Sequence, residues 1–213
     1  MTSTTEKSER KKSAVKRSRE SRCGVVKMNE YDFAVSGPWI RNSRTDTEWK
    51  IGYHKYVRVA FKGSTSTMDW RQNFKFWKAP YKNMKDKWYA HAGFVEKWKS
   101  IEDDFMAELV KTDGPIRVYG FSQGGAIAVL AHECIRYHMP DRLIVTKTWG
   151  APRVVAFGGR IKSRFNSIIQ IQNRGDIIPH LPPWLFGYSH VGTKFKEGRF
   201  NFRFKQNHMG YGG

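Results

Sequence analysis

The chain has 213 residues, 39% hydrophobic and 15% aromatic, enough to build the core of one substantial domain and too few for two ordinary ones. Its 38 Lys and Arg against 19 Asp and Glu give a net charge of +19, which draws a protein toward anionic surfaces such as membranes, nucleic acid or acidic polymers. No window is long and apolar enough to span a bilayer, and two cysteines in unlike settings, Cys23 and Cys134, speak against a disulfide framework and for free thiols.

Residues 1–24 are rich in Ser, Lys, Arg and Glu and bury too little to fold alone, so they read as a disordered basic arm. They lack the apolar stretch of a secretory leader, which makes the cytosol the default expectation. Residues 25–213 have globular composition and read as a single α/β domain. The run from Trp49 to Phe61 predicts one or two strands, with Tyr56, Val57, Val59, Ala60 and Phe61 buried. It stops at Lys62-Gly63-Ser64.

Trp70 to Tyr89 interleaves Trp70, Phe74, Phe76, Trp77, Tyr81, Trp88 and Tyr89 with lysines and one arginine, and its one acidic residue is Asp86. Aromatic rings and lysine stems suit a membrane interface. A loop whose rings fold onto the core fits equally well, and stacking on single-stranded nucleic acid is a weaker third reading. His91 to Thr112 predicts one helix, because Phe94, Trp98, Ile101, Phe105 and Leu109 recur at steps of three and four.

A strand follows over residues 116–119, then Gly120-Phe121-Ser122-Gln123-Gly124, then an Ala-rich helix to about Tyr137. This is the strand–turn–helix setting in which G-x-S-x-G forms a nucleophile elbow. The turn lifts the Ser122 hydroxyl clear of the sheet, and the free N–H groups of the helix N-terminus favour developing negative charge. Cys134 falls on the predicted buried face of this helix; Glu133 reads as solvent-facing. Further elements are a strand over Leu143–Trp149, a short helix over Arg153–Phe165 and a strand over Ile168–Gln172. A Pro-rich loop and a terminal hairpin, Val191–Lys196 with Arg199–Phe204, complete the chain. Strands alternating with helices imply a mostly parallel central sheet flanked by helices, as in the α/β-hydrolase fold.

A serine nucleophile needs a base, and the base needs an orienting acid, in the chain order Ser, acid, His on such a fold. Asp176 fits the acid, just past a strand; Asp141 precedes one and falls at the wrong edge. His180 stands too close to Asp176 and reads as a local contact. Spacing alone leaves His190 and His208 open, although a loop after the last strand suits His208 better. The N–H of Gln123 and a donor from Gly63-Ser64 would form the oxyanion hole. No cofactor is expected, since the histidines lack zinc-like spacing.

These residues resemble the fungal-type triacylglycerol lipases, or class 3 lipases. The motifs run in order: Ala60-Phe61-Lys62-Gly63-Ser64 with Asp69-Trp70, His91-Ala92-Gly93-Phe94, the elbow, Thr148-Trp149-Gly150-Ala151-Pro152-Arg153, Asn173 to Pro183, Gly187-Tyr188-Ser189-His190, and His208-Met209-Gly210-Tyr211. The resemblance implies catalytic Ser122, Asp176 and His208, oxyanion donors Ser64 and Gln123, and a structural His190. It also implies a lid bearing Trp70, Phe74, Phe76 and Trp77. Phe121 and Gln123 depart from the family's usual elbow His and Leu, Lys62 replaces an Arg, and Asn207 replaces an Asp. The chain runs only five residues past His208, which predicts a loosely held base. The expected activity is hydrolysis of lipid carboxylic esters through an acyl-enzyme on Ser122, with an anionic membrane as a further partner and nucleic acid disfavoured. The rivals are a phospholipase on anionic membranes and a non-catalytic membrane- or nucleic-acid-binding protein on a degenerate hydrolase fold.

Overall fold

β-branched and aromatic runs that are apolar on both faces need helices on both sides, and this requirement organises the molecule. The computed structural model describes residues 29–63, 77–81, 88–156, 164–199 and 203–211. The arm over residues 1–24, with Cys23, lies outside them. Seven described strands form the main sheet: β1 (Ile40–Asn42), β2 (Thr47–Tyr53), β3 (Val57–Phe61), β6 (Ile116–Phe121), β7 (Ile144–Trp149), β9 (Ile168–Asn173) and β11 (Thr193–Glu197), in the order β1-β2-β3-β6-β7-β9-β11. The first three form an antiparallel meander and the rest run parallel. Phe61 pairs with Gly120, Phe121 with Trp149 and Trp149 with Ile171, so the carboxyl ends of the central strands finish level. That edge is where ligands meet an open α/β sheet.

Alternation sends Val57, Val59, Phe61 and Val118 to one face of the sheet and Ala60, Tyr119 and Phe121 to the other. The first face packs against α2 (Ala92–Lys99), α3 (Glu102–Leu109) and α4 (Gln123–His138). There Trp98, Phe105, Phe61 and Trp49 meet edge-on or tilted, with ring centroids 5.3–5.9 Å apart. The second face is covered by α1 (Glu30–Val35), and Tyr211 joins its core. The Asn29 side chain caps α1 by accepting from the Asp32 N–H at 2.8 Å. The Glu30 carboxylate then takes Arg117, Tyr119 and Lys147, which ties the helix across β6 and β7.

A second described sheet, antiparallel, has the order β10-β8-β5-β4, from β4 (Lys78–Tyr81), β5 (Trp88–His91), β8 (Val155–Ala156) and β10 (Tyr188–Ser189). Tyr81 anchors it by donating to the Leu130 carbonyl at 2.9 Å.

Four expectations change. The helix expected over residues 91–112 is two helices. Its apolar stripe is buried throughout, but the backbone breaks at Ser100 and Ile101, where the Asn42 side chain donates to the Ser100 carbonyl and the Ser100 hydroxyl bonds the Lys97 carbonyl. The segment from Arg153 begins as strand β8 and not as a helix, because Val155 pairs with Ala90 and Ser189; residues 157–163 lie outside the described set. The first arm of the expected terminal hairpin is β11, which pairs in parallel with β9. Phe204, assigned to the second arm, opens α5 (Phe204–Met209). Glu133 is buried, 3.9 Å from Arg164, and not solvent-facing, because α4 is covered on all sides from Gly124 to Ile135. Cys134 is a buried free thiol, as expected.

Candidate active site

Ser122 stands between the last residue of β6 and the first of α4 at φ 53°, ψ −125°. A non-glycine residue rarely holds that backbone, and such strain persists only where the surroundings enforce it. The Ser122 N–H donates to the Trp149 carbonyl at 2.9 Å, and its own carbonyl accepts from the Gly125 N–H. The flanking glycines permit the turn. A Cβ at Gly120 would lie 2.3 Å from the Gly124 carbonyl oxygen, and one at Gly124 would lie 2.0 Å from that of Phe61. Strand β3, the elbow and α4 therefore touch backbone to backbone.

The Ser122 Oγ lies 2.8 Å from His208 Nε2, and His208 Nδ1 lies 2.8 Å from Asp176 Oδ2. All three side chains are buried. Asp176 follows β9, and its carboxylate is held twice more: Oδ1 accepts from the Ile178 N–H at 2.9 Å and Oδ2 accepts from the Tyr211 hydroxyl at 2.7 Å. Burial, then the neighbouring Asp176 charge, pushes the Tyr211 phenol well above its ordinary range, so it stays a donor. The Tyr211 oxygen in turn accepts from the Asn173 N–H at 2.8 Å, and the Asn173 side chain donates to the Asn207 carbonyl at 2.9 Å. These bonds tie the segment bearing the imidazole to the strand bearing the acid. The expectation of a loosely held His208 is overturned: it sits in α5, not on a loop, stacked on Phe121 at 4.9 Å between centroids. Phe121, a departure from the usual elbow, thus fills its place with a ring that supports the imidazole.

The other candidates sort by position. His190 Nε2 lies 2.6 Å from the Pro179 carbonyl and 3.0 Å from Gln172 Nε2, so it braces the Pro-rich loop. Burial lowers its pKa to about 4 and keeps it neutral. His180 is exposed, and its carbonyl takes Arg153. Asp141 is exposed ahead of β7, at the opposite edge of the sheet from Ser122. Gln123 opens α4, so its N–H has no carbonyl four residues back to bond. Ser64, Trp70, Phe74 and Phe76 lie outside the described residues. Trp77 is described: its side chain is 70% exposed, while its carbonyl accepts from the Ala92 N–H and the Tyr188 hydroxyl, both at 2.9 Å.

Tyr211, Asn173 and the Phe121 ring were not assigned roles from the sequence. The spacing His208-x-x-Tyr211 was the available signal for the first. A cleft of about 440 Å³ opens beside Asp176, with Arg174, His180, Lys196 and Phe204 among its walls. Donors with metal-ligating proximity occur elsewhere among the described residues, at Glu102, Cys134 and His138.

A strained serine on a helix N-terminus, an imidazole on its hydroxyl and a buried carboxylate on that imidazole define, on this parallel sheet, an α/β-hydrolase fold carrying a Ser–His–Asp array. Residues 58–186 match the family described as lipase (class 3), and the chain belongs to that family. It is 28% identical over 152 residues to a lipase of Rhizomucor miehei, covering 66% of this chain and 41% of the relative. It is 30% identical over 176 residues to the secreted mono- and diacylglycerol lipase A of Penicillium cyclopium, covering 78% and 54%. Among solved structures, the lipase of Rhizopus microsporus var. chinensis superposes with a TM-score of 0.67 at 26% identity, covering 76% of this chain and 61% of that one. The chain spans about half the length of the curated relatives it matches.

Proposed function

We propose that the chain is a serine hydrolase that cleaves carboxylic esters of lipids. The observation that carries the reading is the pair of 2.8 Å separations joining Ser122, His208 and Asp176. His208 Nε2 takes the Ser122 proton as Oγ bonds to the ester carbonyl carbon. Asp176 holds the imidazolium that forms. The Gln123 N–H, at the positive end of α4, faces the developing oxyanion, and the family resemblance adds Ser64 as the second donor. Collapse breaks the ester bond, and the leaving alcohol carries the proton away from Nε2. Water, deprotonated by His208, then releases the acid. The names of the relatives, lipase and mono- and diacylglycerol lipase, support acylglycerols as the substrate class. Ser122→Ala is expected to abolish labelling by a fluorophosphonate probe and to lower kcat on a short p-nitrophenyl ester by about 10⁴–10⁶-fold with the melting temperature retained. Full turnover in that variant refutes the assignment.

A second reading, the same chemistry on phospholipids of an anionic membrane, is favoured by one feature. The 3₁₀ turn Trp184–Phe186 exposes Trp184 by 67% and Leu185 by 74% in a chain of charge +19. It predicts hydrolysis on anionic vesicles that slows with added salt. Equal rates on neutral and anionic vesicles overturn it.

A further inference from the structure

Away from Ser122, toward the carboxyl end of α4, a second cluster is built from three donor types. Cys134 and His138 stand one helical turn apart on α4, and Glu102 opens α3 beside them. The Cys134 Sγ, a His138 ring nitrogen and a Glu102 carboxylate oxygen all lie within 4.8 Å of one another. The two oxygens of Glu102 face different partners: Oε1 accepts from the Cys134 thiol at 3.4 Å, and Oε2 takes Lys99 Nζ at 2.5 Å. Cys134 and Glu102 are buried, while His138 is exposed.

We propose that Glu102, Cys134 and His138 form a site for a thiophilic divalent ion of the zinc type, with water as the fourth ligand. One sulfur, one imidazole nitrogen and one carboxylate oxygen are zinc's donor set; magnesium and calcium need more oxygens than this corner offers. Bonds of about 2.0–2.3 Å put tetrahedral ligand atoms about 3.5 Å apart, so the cluster must close by about 1 Å. Rotation of the exposed His138 ring and of the Glu102 carboxylate supplies that movement. Binding releases the thiol proton to solvent, and the resulting thiolate and the carboxylate set two negative charges against the ion's two positive ones and the Lys99 ammonium. Lys99 keeps its own oxygen. Cys134 and His138 also occupy the last turns of a 16-residue helix, where the backbone dipole favours a cation. The ion would staple α3 to α4, and Cys134 lies about 18 Å along the helix from Ser122, so the site is independent of ester cleavage.

The test uses the full chain carrying Cys23→Ser, which leaves Cys134 as the one thiol, stripped with a chelator and titrated with Co²⁺ or Zn²⁺. One equivalent of Co²⁺ is expected to produce a thiolate-to-metal charge-transfer band, and excess Zn²⁺ to raise the melting temperature. Cys134→Ser added to that background should remove the band. His138→Ala, at an exposed position, should weaken Co²⁺ binding by about tenfold or more. Absence of the band, its survival in Cys134→Ser, or unchanged affinity in His138→Ala overturns the assignment.

Discussion

Two groups of ionisable side chains sit toward opposite ends of α4 and are held in different ways. At the amino end, Ser122, His208, Asp176 and Tyr211 form a line of hydrogen bonds of 2.7–2.8 Å, each member held by the next. Farther along the helix, His132, Glu133 and Cys134 are governed by burial. Desolvation drives His132 down to about 3, between the Thr146 and Ser167 hydroxyls, and raises Glu133 to about 7 despite Arg164. It also pushes the Cys134 thiol well up. A strongly displaced pKa therefore does not by itself mark reactivity in this molecule; the geometry of the partners does.

If the two ends differ in this way, changes at the first should remove activity and leave stability, and changes at the second the reverse. After Ser122→Ala, the largest effect is expected from Asp176→Asn, which should lower kcat/KM by about 10⁴-fold on a p-nitrophenyl ester, as loss of the orienting charge does in Ser–His–Asp enzymes. His208→Ala should match it, whereas His190→Ala should chiefly lower the melting temperature; the opposite ranking would exchange the two histidines. Tyr211→Phe removes one charge-assisted hydrogen bond from a carboxylate that keeps two others. A loss of about tenfold in kcat/KM is expected, read by steady-state kinetics.

The smallest effect lies at the other end. The folded pKa of Glu133, about 7, stands above its ordinary 4.5. Stability from the neutral carboxyl is full below pH 4.5 and is lost as pH rises through 7. Glu133→Gln should then stabilise the protein by about 1–2 kcal/mol at pH 8 and change little at pH 4.5, measured by thermal melts at both. His91, His132 and His190, lowered to about 4, 3 and 4, act in the other sense. The unfolded chain protonates them first, so stability falls as pH drops from 6.5 toward 4.

The parallel strands and the elbow were legible because their signals are local. Apolar runs such as residues 57–61 and 116–121 and the glycines at 120 and 124 state their requirement within a few residues. What failed depended on distant partners. Nothing near Ser100 announces that Asn42 will bond its carbonyl where the helix beneath a continuous stripe breaks. Alternation over residues 193–197 marks a strand and leaves its neighbour open, and the neighbour is β9. Glu133 looked solvent-facing because a charged residue usually is, and the cover of α4 comes from other segments. At the site, Ser122 and Asp176 could be read from position. His208 and His190 could not be separated by spacing, since both follow the acid within one loop-rich stretch; the family resemblance favoured His208. The structure sets His208 on Ser122 and turns His190 toward Pro179.

Ser122 and His208 are separated by 86 residues along the chain. The ribosome thus makes the hydroxyl long before the imidazole that would activate it. A nascent polypeptide that has emerged through the elbow helix carries Ser122 but not yet the residue to which the proposed mechanism gives the part of base, and that residue reaches the hydroxyl only in the fold that sets α5 beside β9.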